Sequence, residues 1–67
     1  MKITLNGKFT EEFPAKLTVT DLLEKLGFAR QPVLVELNEV ALRPREFDAA
    51  MIEDGARLEI IRIAAGG

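Results

Sequence analysis

One stretch of this chain repeats its apolar residues at a helical interval, and it is short. Val19, Leu22, Leu23 and Leu26 fall at i, i+3, i+4 and i+7, a single stripe from which Glu24 and Lys25 point away. Thr18 is placed to cap the N-terminus, and Asp21, three residues on, can reach back to exposed amides at the positive end of the helix dipole. Gly27 stands where a helix end favours glycine. In a chain of 67 residues, one such helix cannot form a bundle, so a sheet must cover its apolar stripe.

The remaining regular segments have the period of two that a sheet requires. Met1, Ile3 and Leu5 alternate with Lys2, Thr4 and Asn6, and Asn6-Gly7 supplies two left-handed positions for a hairpin. On the far side Phe9, Glu11 and Phe13 alternate with Lys8, Thr10 and Glu12, and Pro14 ends the strand. After the connection Arg30-Gln31-Pro32, Val33, Val35 and Leu37 share one face, and Asn38-Glu39 turns the chain into the apolar pair Val40 and Leu42. Arg43 to Phe47 is too polar and interrupted for a core strand, and Asp48 to Glu53 is expected to hold one helical turn. Asp54-Gly55 turns into a last strand, Ala56 to Ile63.

Hairpin, helix, strand, irregular piece, strand is the element order of an α+β β-grasp domain, one helix on a mixed four- or five-stranded sheet with the first and last strands adjacent. The expected core is Leu5, Val19, Leu22, Leu23, Leu26, Val35, Leu37, Leu58 and Ile60. Residues 1–63 form the domain, and 64–67 are expected to be a flexible tail.

Chemistry of its own is hard to build from this composition. Without His, Cys, Tyr or Trp, no Ser-His triad, thiolate site or zinc cluster can be assembled, so neither an enzyme nor a resident cofactor or metal is expected. The pairs Glu11-Glu12 and Glu53-Asp54 read as solvated surface charge. Nine basic and eleven acidic residues, interspersed, argue against a nucleic-acid partner. The absence of long apolar runs argues against a membrane span or signal segment, and a cytoplasmic protein is expected.

The exception is the end of the chain. Ala64-Ala65-Gly66-Gly67 has neither bulk nor charge, and its reactive group is the Gly67 carboxylate. Attack of that carboxylate on the α-phosphate of ATP would make an acyl-adenylate, from which sulfur can displace AMP to leave a thiocarboxylate. Gly66, Gly67 and the small Ala65 suit a tail that threads a narrow channel, where a larger side chain would clash. Beside it, Ile61 and Ile63 are apolar on the face turned away from Leu58 and Ile60; with Leu34 they form a candidate partner-docking patch.

Several of these features together resemble the ThiS family of sulfur carrier proteins. They are the Asn6-Gly7 hairpin, the helix Thr18 to Leu26, Asn38-Glu39, Pro44-Arg45, Asp54-Gly55, the run Leu58-Glu59-Ile60-Ile61, and the final Ala65-Gly66-Gly67, which span the whole chain. The resemblance implies that Gly67 is adenylated by a ThiF-like enzyme and thiocarboxylated by a sulfur donor system. Sulfur would then pass to a ThiG-like thiazole synthase for thiamine. The alternatives are a sulfur carrier for molybdopterin synthesis, or a ubiquitin-like binding module that uses only its sheet face.

Overall fold

The computed structural model describes residues 1–63. Seven strands and one α-helix follow in the order β1 (Lys2–Leu5), β2 (Phe9–Glu12), β3 (Leu17–Thr18), α1 (Val19–Lys25), β4 (Val33–Leu37), β5 (Val40–Leu42), a 3-10 turn (Pro44–Glu46), β6 (Met51–Ile52) and β7 (Arg57–Arg62). Five of the strands form one sheet in the order β2-β1-β7-β4-β5, while β3 and β6 pair separately. β1 and β7 run parallel and the other pairings are antiparallel, so the sheet is mixed. This is the β-grasp arrangement, with the last strand central and the first beside it.

The helix forms for the local reasons its sequence advertises. The Asp21 N–H donates to Thr18 Oγ1 at 3.1 Å, while the Thr18 N–H donates to Asp21 Oδ2 at 3.3 Å, a complete capping box. Gly27 at φ +86° takes the left-handed position past the Leu26 cap. Val19, Leu22 and Leu23 are buried against Ile3, Leu5, Val33, Val35, Leu58 and Ile60 of the sheet.

Several residues sit elsewhere than their patterns suggest. Leu26 and Leu37 are half-buried at the margin, while Phe47, Ile52 and Ala56 complete the core. The helical turn expected over Asp48–Glu53 lies earlier, at Pro44–Glu46, where the Arg43 N–H donates to Glu46 Oε1 at 2.6 Å. Met51–Ile52 is instead a strand paired with Leu17–Thr18. β2 is exposed throughout, Phe9 included. A seven-residue helix is ~10 Å long and cannot shelter both edges of a five-stranded sheet.

The β4–β5 hairpin carries local strain. Asn38 at φ +49° and Glu39 at φ +71° are both left-handed, and glutamate has no special tolerance for that region. Its compensation is a salt bridge to Arg57 at 3.2 Å, with both side chains largely in solvent and therefore weakly stabilising. Glu39→Gly is expected to stabilise the domain by about 0.5 to 1 kcal/mol. Thermal denaturation checks this: a lowered midpoint would mean that the ion pair outweighs the strain.

Candidate functional site

The site is built around the place where β7 leaves the sheet, and backbone pairing decides where that is. On one side β7 pairs with β4 through Val33↔Arg62, and the Ile63 N–H then donates to the Pro32 carbonyl at 3.0 Å. Pro32 has no N–H to return, so it cannot extend the exchange of ladder bonds. On the other side β1 stops at Leu5, but the Asn6 side chain continues its role for one more step. Asn6 Oδ1 accepts from the Ile60 N–H at 2.8 Å, and Asn6 Nδ2 donates to the Ile60 carbonyl at 3.3 Å.

Asn6 thus does two jobs, as a left-handed turn residue at φ +52° and as a side-chain stand-in for a strand. Its sequence signal, Asn before Gly, discloses only the first. Asn6→Ala would lose both hydrogen bonds and place a Cβ residue with no compensating amide in the left-handed region, a cost of about 2 kcal/mol. Amide hydrogen exchange of the Ile60 N–H should accelerate in the variant; retained protection would rule out the strand-mimic role.

The apolar residues beside this exit are arranged by register. Leu34 and Ile61 are direct cross-strand partners, 57% and 54% exposed, on the face opposite the core. Ile63 is 46% exposed and lies one residue beyond β7. There it lines an apolar cleft of about 540 Å³ with Leu23, Phe28, Pro32, Val33 and Phe47. Leu34 and Ile61 therefore meet across the ladder, while Ile63, expected on their face, lines that cleft with the core-side residues Leu23, Val33 and Phe47. Ala65, Gly66 and Gly67 lie outside the described residues.

The geometry can be set beside known proteins. The model of the ThiS family matches residues 2–67. The chain belongs to the ThiS family. A crystal structure of the thiamine biosynthesis protein ThiS from Geobacter metallireducens has the same fold, with 37% identity, a TM-score of 0.83 and complete coverage of both chains. A solution structure of a thiamine biosynthesis protein from that organism has 39% identity and a TM-score of 0.82 over all of this chain and 88% of that one.

Two curated relatives are longer. Thiazole synthases from Paramagnetospirillum magneticum and Magnetococcus marinus are 34% and 33% identical over 67 residues. The match takes in all of this ThiS-family chain but only 20% of the relatives, so the chain spans about a fifth of their length. No helix among the described residues is long and apolar enough to cross a membrane.

Proposed function

We propose that this chain is a sulfur carrier protein of thiamine biosynthesis, with Gly67 as its loading point and no catalytic role of its own. The observation that carries the reading is the family match through residue 67, which takes in the Gly66-Gly67 end as well as the folded domain. Supporting it, the Ile63 N–H bond to the Pro32 carbonyl, the last ladder bond among the described residues, lies four residues before Gly67.

The chemistry asks little of the carrier beyond presentation. In an adenylating enzyme of the ThiF type, a Gly67 carboxylate oxygen attacks the α-phosphorus of ATP and pyrophosphate leaves. A sulfide-equivalent nucleophile from a sulfur donor system then attacks the acyl carbon, AMP departs, and the thiocarboxylate remains. The small side chain of Ala65 and the two glycines let this segment enter a narrow channel. The exposed pair Leu34 and Ile61, with Ile63 beyond, gives partners an apolar hold beside the last described residues of the chain.

The names of the longer relatives favour thiazole synthase as the acceptor, since the region similar to this chain is part of the thiazole synthase polypeptide in both. The test is intact mass after incubation with ATP, a ThiF-like enzyme and a sulfur source. Alkylation and fragmentation separate a thiocarboxylate on Gly67 from oxidation of Met1 or Met51. Sulfur in place of one Gly67 oxygen is expected; no ATP-dependent change with cognate enzymes would turn the assignment toward a binding module.

A further inference from the structure

We propose that the outer face of β4 and β7 docks a basic protein surface, with Glu36 and Glu59 receiving cationic side chains beside the apolar pair Leu34 and Ile61. The inference rests on the carrier reading and specifies the chemistry of the partner's contact surface. Glu36 and Glu59 are register partners on adjacent strands, both exposed on the same face as Leu34 and Ile61. Directly opposed like charges destabilise a sheet. The chain keeps this pair at the centre of its sheet, between the two strands that share the longest ladder.

Neither carboxylate of the pair has a salt-bridge partner among the described residues. Arg57 lies two residues along β7 on the same face, but its guanidinium is drawn to Glu39 at 3.2 Å, the only salt bridge among the described residues. The strained Glu39 therefore engages the one guanidinium that shares this face with the pair. Glu36, Glu39, Glu59 and Arg57 line one shallow depression of about 300 Å³, three carboxylates against one guanidinium. A concave surface with an excess of one sign focuses its field on an approaching partner.

The occupant follows from the chemistry. A phosphate backbone or an anionic membrane would be repelled. A second copy docked through the same face would set carboxylates against carboxylates. A protein surface with Arg or Lys fits, provided it also carries an apolar recess ~7 Å away, two strand residues nearer the end of β7, for Leu34 and Ile61. Charge then steers the approach while the apolar pair holds the complex.

The decisive measurement is the affinity of the full chain for the thiazole synthase of its own organism, by titration calorimetry at about 50 mM and about 300 mM NaCl. Glu36→Gln with Glu59→Gln should weaken binding roughly 10-fold at the lower salt and flatten its salt dependence. The melting midpoint of that variant should stay level or rise, because the repulsion is relieved. Leu34→Ala with Ile61→Ala should weaken binding at both salt concentrations. Unchanged low-salt affinity in the double Gln variant, with binding lost in the double Ala variant, overturns the charge assignment and leaves the carrier reading standing. A wild-type chain that neither binds the synthase nor accepts sulfur in the mass assay overturns both.

Discussion

Truncating the chain after Gly66 should abolish ATP-dependent sulfur loading and leave the melting transition of the domain where it was. On the carrier function proposed above, loading fails because the terminal carboxylate would have to reach the α-phosphate of an ATP held by another protein. Four residues follow Ile63, a reach of ~14 Å, and loss of one withdraws the terminal carboxyl by ~3.5 Å. A misplacement of ~1 Å can already cost ~100-fold in rate. Stability should not change, because every buried core residue described, from Ile3 to Ile60, precedes Gly67 by at least seven positions. Gly67→Val keeps the length but adds a branched side chain next to the reacting carbon, and should also load poorly. Intact mass after the loading reaction reads both variants; full loading of the truncated chain would remove Gly67 from the mechanism.

A second large effect is expected at Ile52. This side chain is fully buried, yet it belongs to a strand of two residues paired only with Leu17 and Thr18. Ile52→Ala should cost about 2 to 5 kcal/mol, because the surrounding core can close only part of the cavity. A domain of this length has a total stability of roughly 3 to 10 kcal/mol at the usual value per residue, so the variant should be largely unfolded or close to it. Its neighbour Met51 is exposed, and Met51→Ala should stay within about 0.5 kcal/mol of the parent. Urea denaturation of the pair makes the comparison, and equal midpoints would show that β6 does not anchor the core.

The contrast between these neighbours shows where sequence reading succeeds and where it stops. The helix was legible because its instructions are local: Thr18 and Asp21 cap each other, and Val19, Leu22 and Leu23 repeat at one interval. The long strands were legible for the same reason, since Val33, Val35, Leu58 and Ile60 alternate over enough residues to define a face. Two residues define no period. Met51-Ile52 therefore looked like part of a helical turn, and the buried Phe47 was hidden in a polar stretch. β2 failed in the opposite sense, with an alternation broken only by Glu11 and no helix above it to give the alternation a buried side.

The candidate site divides along the same line. The glycine end and the unusual apolar residues Leu34, Ile61 and Ile63 could be picked out from the chain alone, because each departs from a local pattern. What tertiary structure alone decided is which of them meet: Leu34 opposes Ile61, Glu36 opposes Glu59, and the Asn6 amide reaches Ile60 across 54 residues of sequence. By itself, then, the sequence determined the helix, the faces of the longer strands and the chemistry available at the tail. Register between distant strands remained for the folded chain to settle, because it depends on how one helix and five strands share a single core, and no local period encodes that.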